Sequence, residues 1–152
     1  MKKILLITTA ILFLPALALL LQAGSVFAWD TTTASYDNVS LFLGAQDTNP
    51  GDVAFNTDGT KMFMVGNSRD HVNEYTLSTS FDASTASFTQ SFSVVAQETS
   101  SCGLAFSTDG TKMFVVGAFG DDVNEYTLST GFDVSTASFV DSFSVAAQET
   151  AP

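Results

Sequence analysis

The chain has 152 residues, of which 45% are hydrophobic and 14% are charged, and its formal net charge is −11. A chain this acidic repels the phosphate backbone of DNA and RNA, so we expect no nucleic-acid partner. The chain has one cysteine, which excludes an internal disulfide.

Residues 1–28 have the pattern of a secretory signal peptide. Two lysines precede an apolar run at residues 4–21, and Val26-Phe27-Ala28 places small residues at the −3 and −1 positions of a cleavage site. We therefore expect a signal-peptide helix that is removed by cleavage after Ala28. The exported chain would carry a net charge of −13 (3 − 16) and would be secreted, periplasmic or attached to the cell surface.

A retained membrane anchor is the alternative, because 18 apolar residues can nearly span a bilayer. Pro15 interrupts the apolar run, and a cleavage motif follows it, so cleavage is the preferred interpretation. After cleavage we expect no contact with the membrane.

The rest of the chain repeats itself with an offset of 51 residues. Residues 54–99 and 105–150 are identical at 35 of 46 aligned positions (46 − 11), without a gap. A partial copy precedes them, because residues 33–48 resemble residues 85–99. The predicted organisation is a signal peptide at 1–28, the last strand of a preceding unit at 29–50, and whole units at 51–101 and 102–152.

Each whole unit reads as four short strands. An apolar strand, an Asp-Gly turn (Asp58-Gly59 or Asp109-Gly110) and a second apolar strand form a hairpin, because glycine supplies the positive φ that a tight turn requires. The segments VNEYTL and SFSV are rich in strand-forming residues. Four strands in a repeat of about 50 residues are typical of a β-propeller blade.

The hydrophobic pattern changes along each unit. MFMV and MFVV are apolar on both faces, as in a strand covered on both sides, whereas VNEYTL and SFSV are mixed or alternating. A β-sandwich, the second interpretation, predicts alternation in nearly every strand. We predict an all-β fold with two four-stranded antiparallel propeller blades and one extra N-terminal strand, preceded by the signal-peptide helix.

The segment LAFSTDGTKMFVVG, followed by DDVNEYTLST, resembles the blade repeat of exported bacterial β-propellers of the YVTN and NHL-like families. The resemblance covers residues 53–77 and 104–128 well, and the remaining half of each unit is longer and richer in Ser and Thr. It implies a propeller fold and no particular activity. The Asp-Gly turn also resembles the Asp-box of sialidases, but the residue between Asp and Gly in that motif is missing.

Two blades and one strand do not close a propeller, which usually has at least four blades. One interpretation is a partial chain with further blades after Pro152. The other is self-association, in which several chains build one ring. Truncation is preferred, because the unmatched strand is difficult to place in a symmetric ring.

The best candidate ligand-binding site is the loop in which the two units diverge. Four of the mismatches fall at positions 67, 68, 69 and 71. Loops carry the binding residues of many folds, although an exposed loop also drifts freely. The predicted binding residues are Asn67, Arg69, Asp70 and His71 in the first unit and Phe119, Asp121 and Asp122 in the second.

The sequence predicts no catalytic residues, no metal site and no cofactor. His71 is the only histidine, and its neighbour Asp70 is expected to point to the opposite face of the strand. Ca²⁺ is the alternative cofactor, because Asp70, Asp121, Asp122, Glu74 and Glu125 could supply oxygen ligands, but the chain has no Asp-x-Asp-x-Asp-Gly loop.

We therefore expect an exported β-propeller module for binding or scaffolding, with an unidentified protein or glycan ligand. The first alternative is a fragment of a propeller hydrolase or lactonase-like enzyme whose site lies mostly in missing blades. The second is a carbohydrate-binding lectin that assembles a ring from several chains.

Overall fold

The computed structural model describes residues 34–148 and divides the chain into two compact units, Met1–Tyr36 and Asp37–Pro152. The predicted signal peptide lies outside the described residues, and residues 34–36 contain no helix or strand. Within residues 34–148 there is no helix of the length and apolarity that a membrane crossing requires. The second unit contains all the elements described below.

Two sheets of four antiparallel strands make up the second unit, and in each sheet the strand order follows the chain order. Blade 1 contains β1 to β4 and blade 2 contains β5 to β8. The strands are β1 Pro50–Phe55, β2 Lys61–Gly66, β3 His71–Leu77, β4 Ala86–Ser93, β5 Ser101–Phe106, β6 Lys112–Gly117, β7 Asp122–Leu128 and β8 Ala137–Ser144. Short 3-10 helices, Ala83–Thr85 and Val134–Thr136, precede β4 and β8.

The predicted Asp-Gly hairpins are confirmed. Gly59 and Gly110 both have a φ of 71°, which a residue with a side chain rarely adopts. The carboxylate of Asp58 accepts hydrogen bonds from the backbone N–H and the hydroxyl of Thr60, and Asp109 does the same with Thr111. These local hydrogen bonds fix the turn that pairs β1 with β2 and β5 with β6.

Burial in blade 1 is highest in the two middle strands, β2 and β3, and the last strand of each blade is the most open, as the apolar pattern of residues 62–65 and the alternating pattern of SFSV predict. Five of the six residues of β2 are buried, whereas β4 and β8 contain no buried residue. The two faces of β2 belong to different hydrophobic clusters. Met62 and Met64 pack with Tyr75 and Leu77 on one face, and Phe63 and Val65 pack against blade 2 on the other.

The described part of the predicted N-terminal strand, residues 34–49, contains no strand. The N–H groups of Gln46 and Asp47 donate to the backbone oxygen of Leu43, so a turn takes the place of the ladder that a strand would form with a neighbour. We call residues 37–49 the cap segment. Its Leu41 and Leu43 pack against blade 1, as Phe92 and Val94, 51 residues later, pack against blade 2. The segment thus covers blade 1 as an outer strand would, without forming one.

The largest hydrophobic cluster lies between the two blades. Phe63, Val65 and Val72 of blade 1 pack with Met113 and Tyr126 of blade 2, among other residues. The rings of Phe63 and Phe106 have centroids 4.5 Å apart. Since this cluster combines apolar side chains from both blades, the two blades stabilise each other.

Candidate functional site

The loop between β2 and β3, at residues 67–70, is anchored by a carboxylate from the cap segment. Asp47 is fully buried, and it accepts hydrogen bonds from the backbone N–H groups of Asn49, Ser68 and Arg69 at 2.7, 3.3 and 3.1 Å. Hydrogen bonds to an ionised acceptor are stronger than neutral ones. The loop backbone is therefore held in place, while the side chains of residues 67–69 are exposed.

The corresponding loop of blade 2, at residues 118–121, has the same kind of anchor. Glu98 lies 51 residues after Asp47 and is 1% exposed. Its carboxylate accepts N–H hydrogen bonds from Thr99, Ser100 and Gly120 at 2.9, 2.8 and 3.1 Å. In both blades, an acidic residue from the chain before the blade holds the loop that carries the predicted binding residues.

Each loop ends in an aspartate, Asp70 or Asp121, whose backbone is hydrogen-bonded to the blade. Asp70 and Asp121 adopt positive φ values of 53° and 50°, and each backbone oxygen accepts a hydrogen bond from the residue after the fourth strand. The side chain of Asp70 also accepts a hydrogen bond from the N–H of Ser101, the first residue of blade 2, at 3.1 Å. The Oδ1 atom of Asp121 is buried, and no described residue donates to it.

The predicted residues Arg69 and His71 line a small pocket beside the cap segment. The pocket has a volume of about 210 Å³ and includes Gln46, Asn73 and Phe88 in its wall. His71 Nδ1 forms a hydrogen bond with the backbone oxygen of Arg69, so the two residues belong to one local structure.

The remaining predicted residues do not converge on one point in the described structure. Asn67 is exposed, and its Oδ1 accepts a hydrogen bond from Asn49 Nδ2 at 2.6 Å. Phe119 is 78% exposed, and the carboxylate of Asp122 accepts a hydrogen bond from Asn124 at 2.8 Å. The two loops thus present different surfaces, a polar and cationic one on blade 1 and an aromatic one on blade 2.

Two buried tyrosines lie behind these loops. The hydroxyl of Tyr75 donates to Gln46, and the hydroxyl of Tyr126 donates to Gln97. Burial, with a contribution from the charge of Asp47, raises the pKa of Tyr75 from 10.0 to about 12. Burial and two nearby carboxylates likewise raise the pKa of Tyr126 to about 12.

Glu74, one of the candidate Ca²⁺ ligands, is engaged at the contact between the blades. Its carboxylate accepts hydrogen bonds from Lys61 Nζ at 2.7 Å, Gln90 Nε2 at 2.8 Å and the N–H of Val134 at 3.1 Å. Among residues 34–148 no three His, Cys, Asp or Glu side chains are grouped in a way that could hold a metal ion. Glu74 therefore acts as a structural acceptor in this fold.

Sequence reasoning identified the divergent loops but missed their anchors. Neither Asp47 nor Glu98 is among the predicted site residues, yet both are buried. A signal was present in the sequence, because an acidic residue follows Ala-Gln in each copy, at positions 47, 98 and 149. Asp and Glu accept N–H hydrogen bonds equally well, so their exchange preserves the anchor.

No family model matches the chain, and no curated protein matches it. A crystal structure of a protein from Lactobacillus plantarum aligns with a TM-score of 0.50 and 13% identity, over 62% of this chain and 28% of that chain. The structure of the periplasmic gluconolactonase of Pseudomonas aeruginosa aligns with a TM-score of 0.46 and 16% identity, over 63% of this chain and 26% of that chain.

The chain spans little more than a quarter of the length of these two structures. At such low identity a structural likeness concerns the fold alone. The fold is all-β, with two stacked four-stranded antiparallel sheets of the β-propeller type.

Proposed function

We propose that the chain is an exported binding or scaffold module, and that the β2–β3 and β6–β7 loops supply its ligand contacts. The observation that carries this proposal is the combination of fixed loop backbones with divergent loop side chains. Asp47 and Glu98 hold the two backbones through buried hydrogen bonds. Arg69 in one loop corresponds to Gly120 in the other, and Ser68 corresponds to Phe119.

A fixed loop favours binding, because less conformational entropy is lost when a ligand orders its contacts. The exposed ring of Phe119 offers a large apolar surface, and Arg69 offers a planar cation with several donors. The two blades therefore share the same strands but differ in the side chains of their loops. In binding folds the strands usually form the scaffold and the loops supply the contacts. The signal-peptide pattern supports export.

The occupancy of the carboxylates supports binding in preference to catalysis. A catalytic acid or base must reach the substrate through its oxygen atoms. The oxygens of Asp47, Glu74 and Glu98 instead accept hydrogen bonds from this chain. Asp70 accepts a hydrogen bond from Ser101 and is 7% exposed.

Binding to a glycan array and to a peptide array tests the proposal. For any probe that the purified chain binds, we expect Arg69→Ala or Phe119→Ala to weaken binding at least about tenfold, because truncation of a central Arg or aromatic contact typically has that effect. Ser87→Ala, an exposed change on β4, is the matched control and should leave binding unchanged.

Two results would contradict the proposal. The first is probe binding that survives both loop substitutions, which would place the ligand elsewhere on the molecule. The second is hydrolysis of a sugar lactone by the purified chain at a rate that the loop substitutions do not change.

A further inference from the structure

The contact between the two blades of the chain shows which residues pack against one face of a blade. We call the face that carries Phe63 in blade 1, and Phe114 in blade 2, the acceptor face. On blade 1 the acceptor face is covered by blade 2, and Phe63 lies 4.5 Å from Phe106 and 6.2 Å from Phe132 between ring centroids. The contact thus depends on a cluster of three aromatic rings from both units.

A turn of blade 2 provides the polar part of this contact. We call residues 132–136, and the matching residues 81–85 of blade 1, the docking turns. Lys61 Nζ donates to the backbone oxygen of Phe132 at 2.6 Å, and Gln90 Nε2 donates to Asp133 at 2.7 Å. The N–H of Val134 donates to Glu74 at 3.1 Å. The turn is therefore bound through both its backbone and its acidic side chain.

The acceptor face of blade 2 has nearly the same residues, and no neighbouring blade among residues 34–148 covers it. Phe114, Val123 and Phe143 line a pocket of about 270 Å³, together with Glu125, Asp141 and Ser142. Phe143 is 71% exposed, whereas its counterpart in blade 1, Phe92, packs against Tyr126. A large apolar surface of this kind marks an interaction site.

One polar feature of the covered face repeats on the open face, and a second does not. Lys112 pairs with Glu125, as Lys61 pairs with Glu74 on blade 1. The buried Oδ1 of Asp121 has no donor among the described residues, whereas the matching atom of Asp70 accepts the N–H of the next blade. The residue of blade 1 that corresponds to Ser101 is Pro50, which has no N–H, so a second copy of blade 1 does not repeat this hydrogen bond.

The complementary half of the contact is present on blade 1. Phe81 packs against Phe55 with centroids 5.6 Å apart, as Phe132 packs against Phe106 at the same distance, yet Phe81 is 60% exposed. Asp82 accepts the N–H of Ser84 at 3.0 Å, which reproduces the hydrogen bond from Ser135 to Asp133. The docking turn of blade 1 is thus already folded and accessible.

We propose that the acceptor face of blade 2 binds the docking turn and the adjoining face of blade 1 in a second copy of this chain. The contact is head to tail and repeats the contact between the blades within one chain. Phe114 takes the place of Phe63 and packs against Phe55 and Phe81 of the second copy. A head-to-tail contact leaves one free end on each copy, so association continues beyond the dimer into rings or filaments.

Two features of the chain weaken this association. Within one chain, Gln90 of blade 1 donates a hydrogen bond to Asp133 of blade 2. In the proposed contact the corresponding residues are Asp141 and Asp82 of the second copy, which carry like charges. Leu41 and Leu43 of the cap segment occupy the place that Phe143 and the residues after it would take in the second copy. The contact therefore starts at the docking turn, and displacement of the cap completes it.

A face-to-face dimer of two acceptor faces is the competing arrangement. It would bring two copies of Glu125 and Asp141 together, with one Lys112 from each copy to compensate them. Like charges brought together at an interface are strongly unfavourable. The head-to-tail contact places Asp141 of one copy against Asp82 of the other, but it also offers Glu125 the N–H of Ala83, the counterpart of Val134, so it is favoured over the face-to-face arrangement.

Sedimentation velocity of the purified chain over a range of concentrations tests the proposal. We expect Asp141→Gln to tighten self-association by about tenfold, which corresponds to ~1.4 kcal/mol, and to populate species larger than a dimer. Phe114→Thr on the acceptor face and Phe81→Ser on the docking turn should each weaken association by at least about tenfold. Phe139→Thr is the matched control, because Phe139 packs against Tyr126 on the other face of blade 2.

Each alternative outcome is distinguishable. Association that stops at a dimer and is insensitive to Phe81→Ser would show the face-to-face arrangement and overturn the proposal. A monomer at all concentrations for both the unmodified chain and Asp141→Gln would also overturn it. An equal loss of association in the Phe139→Thr control would show that the substitutions act through unfolding, and the proposal would fail. The ligand-binding loops are unchanged in all of these variants, so the result is independent of the proposed function.

Discussion

Replacing Glu74 and Glu125 separately by glutamine compares one residue in two environments. The two residues occupy the same position in the repeat, and each pairs with a lysine. The side chain of Glu74 is 1% exposed at the contact between the blades, whereas that of Glu125 is 30% exposed on the open face. Any difference between the two variants therefore reports on the contact between the blades.

We expect Glu74→Gln to lower the free energy of unfolding by about 3 kcal/mol. Three donors lose a charged acceptor, and a hydrogen bond to a charged group contributes about 1.5–3 kcal/mol. If the amide oxygen takes the place of Oε2, it accepts from Gln90 and Val134 and the NH₂ group faces Lys61 Nζ, whereas in the opposite orientation the NH₂ group faces Gln90 and the N–H of Val134. Removing one member of a buried pair typically costs about 3–5 kcal/mol, and the partial exposure of Lys61 places this case at the lower end.

For Glu125→Gln we expect a change of less than about 1 kcal/mol, as is usual for an exposed ion pair. Glu125 also lies directly across from Asp141 in the sheet, so loss of its charge removes a repulsion.

Urea denaturation followed by circular dichroism measures both effects. With a slope of about 1.5 kcal/mol per molar urea, the expected loss for Glu74→Gln moves the midpoint down by about 2 M. The Glu125→Gln midpoint should move by less than about 0.7 M. Equal shifts for the two variants would refute the reasoning, because they would show that Glu74 gains nothing from its position between the blades.

Three further predictions concern the ionisation of two tyrosines, amide hydrogen exchange at Gly120 and the turn geometry at Gly110. Tyr75 and Tyr126 should ionise near pH 12 in the folded chain, against 10.0 when unfolded. Stability from this difference is complete below pH 10 and is lost as the pH rises towards 12, and ionisation near pH 10 in an absorbance titration of a Tyr36→Phe variant, which retains only these two tyrosines, would contradict it. Glu98→Gln should speed amide hydrogen exchange at Gly120 at least about tenfold, because it removes the charged acceptor, and unchanged exchange would contradict the anchor. Gly110→Ala should destabilise the chain by about 2 kcal/mol in urea denaturation, because φ is 71° and a Cβ atom would overlap the ring of the docking turn; a neutral result would contradict this turn geometry.

The repeat made the strands of this fold predictable from sequence. Asp58-Gly59 and Asp109-Gly110 define the hairpins through a local requirement for positive φ, which does not depend on the rest of the fold. The apolar run at residues 62–65 likewise predicts cover on both faces, and the structure confirms it. Local chemistry and residue pattern are sufficient for features of this kind.

Features that depend on contacts between units could not be read from sequence in the same way. The strand-like pattern of residues 33–48 predicted a strand, but a strand requires a pairing neighbour that pattern alone does not supply. Asp47 and Glu98 were not predicted as anchors, because burial of a carboxylate follows from where the next loop places its N–H groups. The roles of Phe81 and Phe132 differ only because one has a blade against it and the other does not.

The account depends most on the stacking of blade 2 against blade 1. Nuclear Overhauser spectroscopy of the aromatic protons, at a concentration low enough to suppress association, tests this contact directly. We predict cross-peaks between the rings of Phe63 and Phe106, whose centroids are 4.5 Å apart although the residues belong to different units. Cross-peaks from each ring only to residues of its own unit would contradict the account.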